Sequence, residues 1–140
     1  MSNAIPDGFE RHFRTSAVTD PWEPLYSRRG EALVEIGMIV STQHCNSRGF
    51  LHGGVVAALA DNAMGLSFGA ARSAKHGTAA KGAVTVTLAL DYLATASIGQ
   101  WMCVTPRVLR AGRQMGFADA LITAELTPIA RASATFRVIE

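Results

Sequence analysis

One long apolar stretch, Gly53–Ala71, follows a single strand-like segment and precedes a run of strand-like segments, and that order constrains the fold most. Val55, Leu59, Ala63, Leu66 and Ala70 recur at three to four residues, the spacing of one buried helix stripe. Small residues occur nearly all round, which suits enclosure by other elements. Asp61 and Asn62 in its middle argue against a membrane span.

Before the helix, Ala32–Val40 reads as a strand, opened by Leu33 and Val34, with Ile36, Met38 and Val40 alternating imperfectly with Glu35, Gly37 and Ile39, and Ser41–Leu51 is a polar loop. After it, Ser73–Lys81 reads as a loop. Four strands follow. In Ala83–Leu93, Val84, Val86, Leu88, Leu90 and Tyr92 alternate with Thr85, Thr87, Ala89 and Asp91. Gln100–Arg110 turns at Ala111-Gly112-Arg113 into Gln114–Leu126, where Ala118, Ala120, Ile122, Ala124 and Leu126 share a face. Thr127-Pro128 marks the next turn, and Ala130–Glu140 carries Ala130, Ala132, Ala134, Phe136 and Val138 on one side. Short connections imply an antiparallel meander. The inward alanines leave room for something thick against the sheet. The expectation is an α+β fold, a curved antiparallel sheet wrapped around one central helix.

Met1–Gly30 reads as an N-terminal arm ahead of a domain over residues 31–140. It carries Pro6, Pro21 and Pro24. Asp7 is placed to cap a short helix through Arg14, and Trp22 and Tyr26 would dock the arm.

With 140 residues, 49% hydrophobic and 17% charged, the chain fits one folded domain and not a disordered one. A net charge of +2 is too balanced for a dedicated nucleic-acid binder. The charge is uneven, however: residues 1–61 carry five basic and seven acidic groups, residues 62–140 eight basic and four acidic. The surplus suits a solvated sheet face or a rim for an anionic ligand. Cys45 and Cys103 do not make a disulfide framework, and Met1–Glu10 has no signal-peptide pattern. A cytoplasmic location is the default expectation.

The candidate chemistry lies where the loop enters the helix. Gly53 and Gly54 place no side chain over the first-turn N–H groups, which are unpaired and partially positive. Such donors stabilise the negative oxygen that develops in acyl transfer, although a glycine pair also suits a tight junction. Asp61 sits mid-helix, where aspartate is a poor helix former, beside the small residues Ala57, Ala58 and Gly65. It can face solvent, or act on an electrophile as general base toward water or by direct attack. The eight residues from Gly53 to Asp61 span roughly 12 Å of helix at about 1.5 Å each. One carbon cannot readily touch both in a single chain. If both act together, they come from two chains of an antiparallel dimer.

The run His52-Gly53-Gly54-Val55-Val56-Ala57-Ala58-Leu59-Ala60-Asp61-Asn62-Ala63-Met64-Gly65 resembles the signature of the hotdog-fold acyl-CoA thioesterases, in the phenylacetate-degradation (PaaI-like) branch. The resemblance extends from about Glu31 to the C-terminus. It implies hydrolysis of an acyl-CoA to a free acid and coenzyme A, in a homodimer or a dimer-of-dimers tetramer. Sites would lie at the dimer interface, helix N-terminus from one subunit and acid from the other. It gives Asn46 a part in holding the thioester or the water, His52 a part in positioning the thioester, and Thr85 a place near the attacking water. Arg110 and Arg113 would hold the nucleotide end, where arginine forks suit phosphates. Gly54 would assist Gly53. No cofactor is implied, since coenzyme A is part of the substrate. His44, Cys45 and His52 do not follow zinc-ligand spacing, so no metal is expected. His44, His12 and His76 show no partner in the sequence and read as incidental. Two alternatives are a hotdog hydratase or dehydratase and a non-catalytic acyl-CoA binding or sensing module.

Overall fold

The computed structural model describes residues 4–77 and 81–139. Its strands are β1 (Glu10–Arg11), β2 (Tyr26–Gly30), β3 (Leu33–Ile39), β4 (Gly82–Tyr92), β5 (Trp101–Ala111), β6 (Met115–Ala124) and β7 (Thr127–Ile139). They form one antiparallel sheet in the order β1-β2-β3-β5-β6-β7-β4. The single α-helix, α1 (Gly53–His76), packs against β3, β4, β5, β6 and β7. This is the hotdog arrangement that the sequence implied.

The helix is as long as its caps permit. It runs past the expected end at Ala71 to His76, where Gly77 adopts φ 72° and its N–H closes on Ser73 O at 2.8 Å. That left-handed stop is cheap only for a residue without Cβ. Of the expected Ser73–Lys81 loop, residues 78–80 lie outside the described residues. The inner face of α1 is fully buried at Leu59, Ala60, Ala63, Met64 and Phe68, against Ile36, Met38, Met102, Val104 and Ile122. Phe68 stacks on Phe136 with ring centroids 5.8 Å apart. Gly116 makes room for it: a Cβ there would lie 2.2 Å from the Phe68 ring. The alanines of β6 and β7 point inward, as their alternation demands.

Three expectations are corrected. Leu126 does not join the inward face; it is 88% exposed. Glu125 and Leu126 have φ 47° and 69° and connect the paired residues Ala124 and Thr127, so the turn precedes Thr127-Pro128. A two-residue hairpin loop with both φ positive is usually signalled by Asn-Gly, and Glu-Leu carries no such sign. It is held by the Trp101 N–H donating to the Glu125 carboxylate at 2.7 Å. Second, no helix runs from Asp7 to Arg14. Glu10 and Arg11 pair with Ser27 and Tyr26 as β1. Phe9 packs edge-on against Trp101, with the Arg28 guanidinium 4.7 Å from its centroid. These contacts override a local capping signal. The sheet therefore begins inside the arm, and β2 pairs with β3 along its whole length.

Third, β4 is not a simple alternating strand. A bulge between Thr85 and Thr87 shifts the register against β7. Thr85 lies opposite the buried Phe136, while Leu88, Leu90 and Tyr92 lie opposite the buried Ala134, Ala132 and Ala130. Thr85 thus shares the inward face with Leu88, Leu90 and Tyr92, and Val84 joins the outer one opposite Arg137. A second bulge, between Val108 and Arg110 of β5, sends Arg110 to the outer face opposite Phe117. Bulges re-aim side chains in this way.

The two sheet edges differ. β1 is a two-residue edge that leads into the arm. β4 pairs with β7 alone, and its Val84, Val86, Leu88 and Tyr92 are exposed in the single chain. The sheet curls so far round α1 that the arm after β1 and the start of β4 border one cavity.

Candidate active site

The loop before α1 is built on Asn46. Its side-chain oxygen accepts the N–H groups of Arg48 and Phe50 at 3.0 and 3.2 Å, and its own N–H donates to Phe50 O at 2.8 Å. Asn46 is therefore a turn former. Its side-chain NH2 has no partner among the described residues and remains a donor. His52 N-caps the helix: its Nδ1 accepts the Gly54 N–H at 2.8 Å. That bond puts the neutral ring's proton on Nε2. It also spends the Gly54 donor inside the chain, which corrects the expectation that Gly54 assists with a carbonyl oxygen. The Gly53 N–H has no such partner among the described residues. Tyr92 explains why position 53 is glycine. Its hydroxyl donates to Gly53 O, and a Cβ at Gly53 would lie 3.1 Å from its ring.

Asp61 lies two turns further along α1, half-buried, in the wall of a cavity of about 520 Å³. The Thr85 hydroxyl donates to Asp61 Oδ1 at 2.7 Å. The β4 bulge puts Thr85 on this face. The other carboxylate oxygen has no partner among the described residues. A carboxylate fixed through one oxygen and open at the other can take a proton from water or attack a carbonyl carbon.

The remaining predicted residues lie elsewhere. Arg72, on α1, donates from Nε to Arg113 O at 3.0 Å, and His76 Nε2 bonds Ala111 O at 3.0 Å. Together they fasten the β5–β6 turn to the C-terminal end of α1. The helix has 24 residues, roughly 36 Å at about 1.5 Å each. Arg110 and Arg113 therefore sit at the opposite end from Asn46, His52 and Gly53. Within one chain the structure joins Asp61 to Thr85 and keeps Gly53 roughly 12 Å along the helix from Asp61.

Three residues escaped the sequence reading. Tyr92 is one. His44 is buried and structural: Nδ1 accepts the Ser41 N–H at 2.9 Å and Nε2 donates to Trp22 O at 2.8 Å. Its burial pushes the pKa below the ordinary value, so it pins the arm as a neutral ring. His12 lines the cavity that holds Asp61, is buried, and leaves Nδ1 without a hydrogen-bond partner. No local pattern marks either histidine, because their neighbours come from distant segments. Both cysteines are free thiols. Burial first, against a smaller opposing bond to Thr105, pushes Cys103 up to about 11, which makes it inert at neutral pH.

A single helix with a bare amide at its N-terminus and an acid further along it, wrapped by an antiparallel sheet, defines the hotdog class of fold. Residues 48–130 match the family described as Thioesterase superfamily, and the chain belongs to that family. Over 96% of this chain and 97% of its own length, the Pseudomonas aeruginosa protein named "Putative esterase PA0474" is 31% identical. Acyl-coenzyme A thioesterase 13 of Mus musculus is 30% identical over 64% of this chain and 60% of its own. Among solved structures, smu.793 from Streptococcus mutans, bound to acetyl CoA, aligns with a TM-score of 0.66 and 26% identity, covering 77% of this chain and 82% of that one. The Escherichia coli PaaI protein of the phenylacetic acid degradation operon shares the fold, with a TM-score of 0.68, 23% identity, and 79% and 75% of the two chains covered.

Proposed function

We propose that this protein is an acyl-CoA thioesterase whose sites form between two copies of the chain. The hydrogen bond from Thr85 to Asp61, at the wall of a cavity, carries this reading. Asp61 activates a water or attacks the thioester carbon. The oxyanion forms against the Gly53 N–H of the partner subunit, where the helix dipole adds to the hydrogen bond. The NH2 group of Asn46 is a second donor there. His52 presents Nε2–H toward the thioester and holds the loop through Nδ1. Arg110 and Arg113 are reserved for the nucleotide end of coenzyme A.

The bare β4 edge supports the two-copy site. An eleven-residue edge strand with exposed apolar side chains is a template for another strand. Pairing it with its own copy about a two-fold axis continues the sheet and sets two α1 helices antiparallel. The acid of one then lies level with the amide of the other.

The test is Asp61→Asn, followed by release of free coenzyme A from a panel of acyl-CoA esters. The expected loss is about 10²- to 10⁴-fold in kcat, the usual worth of a general base, with acyl-CoA affinity retained. A wild-type protein that binds the panel and hydrolyses none of it would make this a binding or sensing module.

A further inference from the structure

Charge in the Asp61 cavity is unevenly placed. Asp61 marks the end toward the α1 N-terminus, and it is the one acidic side chain among the described lining residues. Arg72 and Ser73, eleven and twelve residues on, lie roughly 16–18 Å further along the helix. Lys81, just before β4, lines the cavity as well, and the arm supplies Arg14 and His12. A pocket built for a plain hydrocarbon tail would be walled by apolar side chains. This one has Leu66, Phe68, Ala70, Ala83, Phe136 and Val138 as its apolar lining, and three cationic side chains elsewhere in its wall.

Arg72 is buried and partly committed to the β5–β6 turn through Arg113 O. Arg14 and Lys81 are exposed and make no hydrogen bond or ion pair among the described residues. His12 is 8% exposed, with Nδ1 unpartnered. Burial, the largest influence on it, holds its pKa below the ordinary value against a smaller pull from Glu23. A neutral imidazole lacking a hydrogen-bond partner, in a cavity wall that also carries two uncommitted cations, has capacity for an anionic oxygen.

We propose that the acyl group taken by this site ends in a carboxylate, received by Arg14, Lys81 and His12 in the cavity wall. The substrate class is then the coenzyme A monothioester of a dicarboxylic acid. The inference rests on the thioesterase reading and adds the identity of the tail. Like charge gives it a second consequence. The same carboxylate placed beside Asp61 would be repelled, so the cavity admits the tail in one direction.

The experiment compares dicarboxylic monothioesters with monocarboxylic thioesters of equal chain length, adipoyl-CoA against hexanoyl-CoA first. The wild type is expected to favour adipoyl-CoA in kcat/KM by about tenfold or more, the scale of one charge-assisted hydrogen bond. In Arg14→Ala/Lys81→Ala that ratio should fall to near one, with His12→Asn intermediate. A wild-type preference for hexanoyl-CoA overturns the proposal and leaves the thioesterase reading intact. A double variant that loses both substrates equally, with the ratio unchanged, assigns the cations to the coenzyme A phosphates and also overturns it. Calorimetric affinities of Asp61→Asn for the same pair read the preference without turnover. Equal affinities there, with no wild-type hydrolysis of any ester, would sink both readings.

Discussion

The two edges of this sheet are built on opposite principles. At the β1 edge the strand is two residues long and charged. The chain leaves it at once into an arm held by Phe9 on Trp101, by Arg28 over Phe9, and by Arg29 over Phe13 at 3.6 Å. Arg28 also bonds Glu35 at 2.8 Å. At the β4 edge an eleven-residue strand offers its unpaired backbone and apolar side chains with nothing over them in the single chain. A short, charged, covered edge ends a sheet, whereas a long bare one invites continuation. One edge closes the chain on itself and the other is suited to a second copy.

The largest effect should come from blunting the open edge. Val84→Lys/Val86→Lys puts two charges on β4. Light scattering should then show a shift from about 30 kDa, twice 14.8 kDa, to the single-chain mass. Thioester hydrolysis should fall by at least about 100-fold, because the site loses the opposing amide. Arg28→Ala on the closed edge should leave the mass alone. If both variants associate like the wild type, the contrast between the edges is wrong.

Gly37→Ala probes the closed side. A Cβ there would lie 2.3 Å from the Trp101 ring and 2.9 Å from the Met102 carbonyl oxygen, under the indole on which Phe9 packs. Overpacking of this kind costs about 1–3 kcal/mol. The unfolding free energy read from a urea titration should drop by that amount, lowering the midpoint with the slope of the transition unchanged. A neutral substitution would mean that the arm is loosely held.

The smallest effect is on pH dependence. Burial holds the His44 ring, which pins Trp22 O, below its ordinary pKa of 6.5. The unfolded chain therefore takes up the proton first as pH falls. Stability from His44 is complete above about 6.5 and declines as pH drops toward the folded value. His12 has the same sign. Thermal midpoints measured from pH 7.5 to 5.5 should fall, and fall less steeply in His44→Gln. An equal slope would remove His44 from the account.

Sequence alone determined the helix, the succession of strand segments from β3 onward and the inward alanines of β6 and β7, because periodic burial is written directly into residue type. The full meander expected of those strands is corrected, since β4 pairs with β7 and β5 with β3. It also marked Gly53 and Asp61, whose chemistry stands out against their apolar neighbours. Alternation placed Thr85 on the face opposite Leu88 and Tyr92, and only the bulge against β7 turned it toward Asp61. A bulge is a property of two paired strands, so one strand's pattern cannot carry it. The capture of the Gly54 N–H by His52, the Tyr92 contact at Gly53, and the meeting of His12 with the Asp61 cavity were likewise decided by tertiary structure. Each depends on side-chain geometry, or on segments far apart in the chain brought together when the sheet curls round α1.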